Sequence, residues 1–172
     1  MIKDSQHYET TQYCVQRFTE AEKKMLENQE RKLKDPEGWL LIKDSYVVQR
    51  QKLLNEIAEY ETLIAHDPLK PVDLFVEDMN KLSDLLIKAR IAFQISQKEL
   101  AYLCDLTEEQ IKIYEEKDYE HASYLDFQAV SDALGVRIID GRFIAQMHSF
   151  YLKKLNKMRK FENVNVDMQA AS

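Results

Sequence analysis

The chain has 172 residues, of which 45% are hydrophobic, and this is enough for one good core or for a small domain with an extension. Its 24 basic and 30 acidic side chains give a net charge of -6, so the molecule as a whole is not attracted to a polyanion, and any contact with nucleic acid has to be local. Only 3 Gly and 3 Pro occur, which favours helices over many-turned sheets.

The N-terminal range 1–70 is predicted to form a helical hairpin. Apolar residues recur at three- and four-residue steps over about 11–33, which is typical of an amphipathic helix. The pattern then breaks, and Pro36 is well placed as the first residue of a second helix over about 39–65. A seven-residue repeat lines this second helix: Trp39, Tyr46, Leu53 and Tyr60. A hairpin of two helices is too narrow to be a domain by itself, so we expect it to pack on a second copy or on a partner.

Two prolines mark a domain boundary near residue 70. Pro68 and Pro71 each restrict the residue before them and lack a backbone donor, which is typical of a linker. After this linker the apolar spacing predicts a helix over about 75–93. Residues 71–139 are therefore predicted to form a second domain.

Within this domain, residues 96–115 have the pattern of two short helices separated by a turn. Ser96 precedes Glu99, and Thr107 precedes Gln110, in two S/T-x-x-E/Q capping boxes. Such a box satisfies the N–H groups of a first helical turn. Two helices of this length are not stable alone, so they need the flanking helices to bury their inner faces.

The C-terminal part contains two further predicted helices. Ser123 starts the first, and Gly135 ends it, because glycine adopts the left-handed conformation readily. The second covers 140 to about 161, within a C-terminal segment 140–172 whose last helical turns are basic. This basic segment can contact a DNA backbone or an acidic partner, or it can be a solvated helix flank that balances an acidic body.

The sequence also bears on the compartment. The polar N-terminus has no apolar signal core, and no run approaches the ~18 apolar residues that a membrane span requires. Cys14 and Cys104 fall at apolar positions of predicted helices, where we expect them to be small hydrophobic residues in a reducing environment. These observations predict a cytoplasmic protein with no membrane partner.

Four short motifs follow one another across residues 82–138. They are LIKAR, then ISQKELA, then the IxxYE ending formed by Ile111, Tyr114 and Glu115, and finally ALGV at 133–136. With these motifs the range resembles the Xre helix-turn-helix family, the Cro and lambda-repressor type. The resemblance covers about a third of the chain. The N-terminal part is similar to the helical extension of small bacterial Xre-type proteins, some of which are antitoxins.

The resemblance implies an all-α fold in which the N-terminal hairpin is followed by a lambda-repressor-like bundle and a C-terminal helix. The second short helix would enter the major groove of DNA. The positions that the resemblance and the charges assign to DNA contact are Gln97, Lys98, Thr107, Glu108, Glu109, Gln110, Lys112 and Lys117. Lys88 and Arg90 are further candidates for contact with the phosphate backbone. Asp105 stands where the family usually has a turn glycine, and we expect the turn to survive because Asp tolerates the left-handed conformation.

The charge of the second domain limits this interpretation. Between Asn80 and Asp140 the sequence has seven basic and twelve acidic residues. Glu108 and Glu109 lie where a groove-reading helix approaches phosphates, although a glutamate can also accept from cytosine N4. We therefore expect a monomer to bind DNA weakly.

No pattern of residues indicates catalysis, a cofactor or a metal. The four histidines lack ligand-like spacing with each other or with the cysteines, and the sequence has neither a glycine-rich phosphate loop nor a nucleophile motif. The acidic residues after Tyr114 are predicted to lie in a solvated loop, except that Glu115 is expected to form a structural ion pair with Arg90. We expect a protein that is not an enzyme.

The sequence as a whole predicts a sequence-specific DNA-binding transcriptional regulator, a repressor that acts as a homodimer on double-stranded DNA. The first alternative is an antitoxin, whose hairpin would mask a cognate toxin while the second domain represses its own operon. The second alternative is a protein-interaction adaptor that has lost DNA binding, and the acidic second helix favours it. Co-purification of a second small protein separates the antitoxin from a regulator that acts alone.

Overall fold

The computed structural model describes residues 1–76, 78–140 and 145–158, apart from the side chains of residues 29 and 31. Every regular element in these ranges is helical, and none of the described residues lies in a strand. This confirms the predicted all-α fold. The chain divides into two compact units, one covering Met1–Arg137 and the other beginning at Ile138.

The N-terminal hairpin consists of α1 (Ser5–Glu27), the short α2 (Gln29–Lys34) and α3 (Pro36–Ile64). The prediction of one unbroken helix over 11–33 was wrong in two respects, its starting residue and its continuity. The helix starts earlier because the Asp4 side chain accepts from the His7 N–H at 2.7 Å. It breaks at Asn28, next to the Met25 carbonyl, which accepts from the Trp39 indole N–H at 3.1 Å. As predicted, Pro36 opens the following helix, with Asp35 as its cap.

Aromatic side chains hold α1 and α3 together in antiparallel order. Tyr8 lies on Tyr60 with ring centroids 5.2 Å apart, and Phe18 lies near Tyr46 at 6.1 Å. The buried Trp39 packs at the end of the hairpin where α2 connects α1 to α3. The predicted seven-residue repeat therefore faces α1, which explains why these large side chains recur at this spacing.

The segment after the hairpin differs from the prediction of a helix over 75–93. Residues 71–76 have no regular structure, a 3-10 turn covers Met79–Lys81, and α4 covers Leu82–Ala92. Asp78 starts the 3-10 turn because its side chain accepts from the Asn80 N–H at 2.9 Å. Before it, the half-buried Val72, Leu74 and Val76 alternate with exposed residues.

The remaining helices of the first unit are α5 (Gln97–Leu103), α6 (Glu108–Glu116) and α7 (Tyr124–Ala133). Together with the 3-10 turn and α4 they form what we call the bundle. Its apolar core is drawn from all four helices, and the residues that are almost fully buried there are Leu86, Ile87, Ala89, Ala92, Leu100, Ile111 and Val130. The bundle therefore supplies the flanking helices that the two short helices need.

Contacts join the hairpin to the bundle. Leu63 of α3 belongs to the same apolar cluster as the core of the bundle. Lys88 of α4 pairs with Glu59 of α3 at 2.5 Å. The contacts thus place the predicted range 1–70 and most of the predicted range 71–139 in one compact unit, whose last residue is Arg137.

The second unit contains one described helix, α8, over residues 149–158. The prediction of a helix from residue 140 was wrong for 145–148, which are not helical. The helix begins later because the His148 ring accepts from the Phe150 N–H at 3.2 Å, in the manner of a cap. The rest of the predicted helix, at 141–144 and after 158, lies outside the described residues.

Candidate functional site

The candidate site consists of α5, α6 and the turn between them, which we call the two-helix unit. The start of α5 is fixed by a capping box, as predicted. The Glu99 N–H donates to the Ser96 hydroxyl at 3.2 Å, and the Ser96 N–H donates back to the Glu99 carboxylate at 2.8 Å. The hydrogen bond from the Ser96 side chain holds the pKa of Glu99 below its ordinary value.

The turn between the two helices is closed by a left-handed residue. Asp105 has φ = 54°, and the Leu106 N–H donates to the Ala101 carbonyl at 2.9 Å. The expectation that the turn survives without glycine is therefore confirmed. Cys104, just before it, packs against α7 with its sulfur 3.7 Å from the Ala129 carbonyl oxygen, and burial raises the pKa of this thiol.

A second capping box starts α6 and orients its two faces. The Gln110 N–H donates to the Thr107 hydroxyl at 3.2 Å, and the Gln110 side-chain oxygen accepts from the Thr107 N–H at 2.9 Å. From this start, Ile111 and Tyr114 point into the core. The Tyr114 hydroxyl also donates to Asp126 of α7 at 2.9 Å. The inner face of α6 is thus held by apolar packing and by a hydrogen bond.

A buried ion pair holds the same face of α6 to α4. The Arg90 guanidinium donates to both carboxylate oxygens of Glu115, with Nη2 at 2.8 Å from Oε2. The Gln97 side chain of α5 donates to the same oxygen at 2.8 Å. Both members of the pair are buried, which confirms the structural role predicted for Glu115. Three helices of the bundle are therefore locked together at one carboxylate.

The N-terminal segment reaches this network from the hairpin. Lys3 Nζ donates to the carbonyl oxygens of Glu115 and Glu116, and it lies 2.7 Å from the Asp118 carboxylate. Arg90 in turn donates to the Lys3 carbonyl at 3.0 Å. A lysine at this place satisfies the last carbonyls of a helix. Sequence reasoning missed Lys3, because no local pattern indicates a partner 112 residues away.

The outer face of α6 is left to solvent. Its exposed residues are Glu109, Lys112, Ile113 and Glu116, and Glu108 beside them is partly exposed. Lys112 pairs with Glu108 at 2.7 Å, and this hydrogen bond lowers the pKa of Glu108 and raises that of Lys112. Ile113 is 42% exposed. Sequence reasoning missed it, although its place one residue before the inward-facing Tyr114 puts it outside the inner stripe.

Besides Glu108 and Lys112, three more of the residues predicted to contact DNA make hydrogen bonds within the two-helix unit. Gln97 binds Glu115, whereas Thr107 and Gln110 bind each other. These bonds use the Gln97 amide nitrogen and the Gln110 amide oxygen. DNA contact by these residues stays a prediction, and removing their side chains would disturb the fold of the unit as well as any interface.

The predicted phosphate contacts divide into two groups. Lys98 and Lys117 are exposed on the two-helix unit. Lys88 and Arg90 are not available to a phosphate in this arrangement, because Lys88 pairs with Glu59 and Arg90 lies in the buried ion pair. For these last two, the proposed backbone contact is corrected to a structural role.

Comparison with family models, with curated proteins and with solved structures finds no match. The resemblance of residues 82–138 to the Xre family therefore stays a prediction from the motifs.

Among the described residues, no three His, Cys, Asp or Glu side chains are grouped so that they could hold a metal ion. No helix in the part of the chain that the structure describes has the length and apolar character needed to cross a membrane.

Proposed function

We propose that this chain is a sequence-specific DNA-binding regulator, a repressor that reads duplex DNA with the outer face of α6 and acts as a dimer. One observation carries the proposal. The inner face of α6 is fixed by the core and by the Arg90–Glu115 pair, while its outer face is exposed along its length. Groove recognition uses a short helix that is rigidly mounted and open on one side.

The outer face carries three kinds of group that read base edges. Lys112 can donate to guanine O6 or N7, Glu109 can accept from cytosine N4, and Ile113 can contact the methyl group of thymine. Lys98 and Lys117 are exposed nearby and are the candidates for phosphate contact. This assignment uses side chains that the fold of the unit does not need.

The acidic charge of the surface makes the affinity of one site low. Glu108, Glu109 and Glu116 lie on or next to the outer face of α6, where they repel phosphates. We therefore propose that two copies bind a two-fold related operator whose half-sites lie about one helical turn, or a multiple of it, apart. Binding by such a dimer is expected to be strongly dependent on salt.

A matched pair of lysines tests the reading face. Lys112 pairs with Glu108 on α6, and Lys34 pairs with Glu30 on α2, so both are exposed members of an i,i+4 pair. We expect Lys112→Ala to weaken operator binding about 5- to 150-fold, which corresponds to ~1–3 kcal/mol for a base contact, and Lys34→Ala to leave it unchanged. Fluorescence anisotropy with a labelled duplex measures both. Equal effects of the two substitutions would exclude α6 as the reading helix.

A protein-interaction adaptor is the second candidate, and exposed apolar side chains favour it. Tyr102 is 84% exposed, and Leu103 and Ile113 are also exposed on the two-helix unit, among carboxylates. Such a surface suits a protein partner with an apolar centre and a basic rim. The antitoxin alternative would add a toxin bound at the hairpin. A second small protein that co-purifies, with no duplex selected, would favour these candidates over the regulator.

A further inference from the structure

Two residues ahead of α1, Ile2 and Lys3, connect the hairpin to the bundle, and we call them the strap. Ile2 is 1% exposed, and only 18% of the Lys3 side chain is exposed. The next residue is Asp4, the cap of α1, whose carbonyl oxygen accepts from the Tyr8 N–H at 3.0 Å. The strap is therefore continuous with the first turn of α1, so a movement of α1 also moves the strap.

On the bundle, the strap is held by both the side chain and the backbone of Lys3. The ammonium group donates to the carbonyl oxygens of Glu115 at 2.5 Å and Glu116 at 3.3 Å. It also lies 2.7 Å from a carboxylate oxygen of Asp118, just beyond the end of α6. The Lys3 carbonyl oxygen accepts from the Arg90 guanidinium at 3.0 Å. A single residue thus joins α1 to the last turn of α6 and to α4.

The turn that follows α6 has a strained backbone. Asp118 and Tyr119 are consecutive left-handed residues, with φ = 50° and 59°. Residues with a Cβ rarely adopt this conformation, so two in succession persist only where their surroundings fix them. The Lys3 ammonium pairs with Asp118 on one side of the turn, whereas Tyr119 is buried on the other, with its ring centroid 5.8 Å from that of Tyr114. The conformation of this turn therefore depends on the strap.

We propose that Lys3 is a positioning residue for α6, through which the position of the hairpin on the bundle sets the position of the last turn of α6. The consequence for DNA rests on the proposed function. Glu116, whose carbonyl Lys3 holds, lies one turn after Lys112 on the outer face of α6. A hairpin that shifts on the bundle moves Lys3 away, relaxes the strained turn and displaces this face. The hairpin is then a control element for DNA binding.

A second contact between hairpin and bundle allows the hairpin to be loosened without touching the strap. Glu59 of α3 pairs with Lys88 of α4 at 2.5 Å. This pair joins α3 to α4, so it lies outside both α6 and the strap. Glu59→Gln therefore weakens the attachment of the hairpin and leaves the donor and acceptor groups of Lys3 unchanged.

Hydrogen exchange, measured for single amides by NMR in the full chain without DNA, tests the strap. The Lys117 and Tyr119 N–H groups are hydrogen-bonded at the end of α6, and the Leu106 N–H is hydrogen-bonded in the turn between α5 and α6. Lys3→Met is expected to speed exchange of the first two amides about 10-fold more than that of Leu106, because the end of α6 then opens locally. Equal acceleration at all three amides would mean that Lys3 contributes only to global stability, and it would overturn the proposal.

The conservative variant separates donation by Lys3 from the packing of its stem. Met has a side chain of similar length without a donor, whereas Arg keeps a cation that can donate to the helix end and to Asp118. Lys3→Arg is therefore expected to restore the slow exchange of the Lys117 and Tyr119 amides. If Lys3→Arg exchanged as fast as Lys3→Met at these amides, donation by Lys3 would not position α6, and the proposal would fail.

Glu59→Gln tests whether the hairpin acts through the strap. In the wild-type background it is expected to speed exchange of the Lys117 and Tyr119 amides several-fold relative to that of Leu106. In the Lys3→Met background it is expected to add nothing at these two amides, because the connection is already broken. Wild-type exchange rates in Glu59→Gln, or an effect that adds fully to that of Lys3→Met, would overturn control of α6 by the hairpin.

Fluorescence anisotropy with the duplex upstream of the gene and with a scrambled duplex tests the consequence for DNA. Lys3→Met is expected to lower the preference for the upstream duplex about 10-fold, because it displaces side chains that read base edges. Lys52→Met is the matched control, since it removes an exposed lysine of the same hairpin and is expected to leave the preference unchanged. Equal losses of preference in the two variants would contradict a positioning role.

The two kinds of measurement separate this inference from the proposed function. A chain whose amides respond as expected but that selects no duplex would contradict the proposed function and leave the strap standing. A chain that selects its upstream duplex, but in which Lys3→Met exchanges like wild type at the end of α6, would overturn the strap and leave the proposed function standing.

Discussion

The hairpin and the bundle fix their helices by different means. The two long helices of the hairpin are joined by a repeating line of aromatic and aliphatic residues, most of them only half-buried. The short helices of the bundle contribute residues that are almost fully buried, and a buried ion pair together with the hydrogen bond from Gln97 links three of them. The hairpin has one packed side and one open side, whereas the bundle surrounds its core.

The difference explains where each region can carry function. A helix as short as α6 keeps its orientation only because capping boxes, core residues and Glu115 hold it from several directions. Its outer face is then available for recognition at no cost to the fold. The long α3, in contrast, leaves many of its side chains exposed along its length.

Breaking the buried ion pair is expected to have the largest effect on the bundle. Glu115→Ala leaves the Arg90 guanidinium buried without its carboxylate, and this is expected to lower the free energy of unfolding by about 3–5 kcal/mol. Urea unfolding followed by circular dichroism measures the change. Replacing both members, with Arg90→Met and Glu115→Leu, is expected to cost less than Glu115→Ala alone. If the double variant were less stable than Glu115→Ala, the unpaired charge of Arg90 would not be the cause of the lost stability.

Matched truncations sharpen the comparison of the two cores. Ile111 of α6 is fully buried, and Ile111→Ala is expected to cost about 2–5 kcal/mol of unfolding free energy. Leu53 of α3 is half-buried in the seam with α1, so Leu53→Ala is expected to cost about 1–2 kcal/mol. Both are measured by urea unfolding. Equal costs would contradict the view that the hairpin is the more open of the two.

The helix ends of the bundle allow a smaller change in the opposite direction. Asp105 is left-handed at φ = 54°, where glycine has no steric cost, so Asp105→Gly is expected to raise the free energy of unfolding by up to about 1 kcal/mol. Gly135 also has a left-handed backbone, with φ = 63°. Gly135→Ala is therefore expected to lower the free energy of unfolding by ~1 kcal/mol, although no atom lies within 4 Å of the added Cβ. If Gly135→Ala were more stable than wild type, backbone conformation would not limit the stability of these helix ends.

The capping carboxylates of the bundle give the smallest expected effect, a dependence of stability on pH. Hydrogen bonds from the Ser96 side chain hold the pKa of Glu99 below its ordinary value, and those from Ser123 do the same for the pKa of Asp126. Because the folded pKa lies below the unfolded pKa, this stabilisation is complete above the unfolded pKa, near ~4, and is lost as the pH falls through the folded pKa.

Urea midpoints between pH 7 and pH 3 measure this loss. The drop is expected to be smaller in Glu99→Gln and in Asp126→Asn, since neither side chain can then ionise. A wild-type midpoint that rises on acidification would contradict the sign of these shifts.

The parts of the fold that local chemistry determines were predicted from the sequence. The capping boxes at Ser96 and Thr107, the start of α3 at Pro36 and the end of α7 before Gly135 all depend on residues within one or two turns. The ion pair of Arg90 with Glu115 was also predicted, although it came from the family resemblance and not from spacing alone.

The parts that were missed depend on contacts distant in sequence. The Trp39 indole N–H donates to the Met25 carbonyl at the break after α1, and the Lys3 ammonium donates to the Glu115 carbonyl at the end of α6. Residues 75 and 76 were wrongly predicted as the start of a helix, because apolar spacing over a few residues does not separate an irregular segment from a helix. For the site, the resemblance indicated which helix would face DNA, whereas the burial of Arg90 and the exposure of Ile113 needed the structure.

The most direct test of DNA reading by α6 is a titration of the purified protein with the duplex that lies upstream of its own gene and with a scrambled duplex of the same composition, at several salt concentrations. We predict that the upstream duplex binds at least 10³-fold more tightly than the scrambled one, that affinity falls steeply as salt rises, and that Lys112→Ala lowers the preference about 5- to 150-fold. Equal affinity for both duplexes, or no binding to either at low salt, would contradict the account.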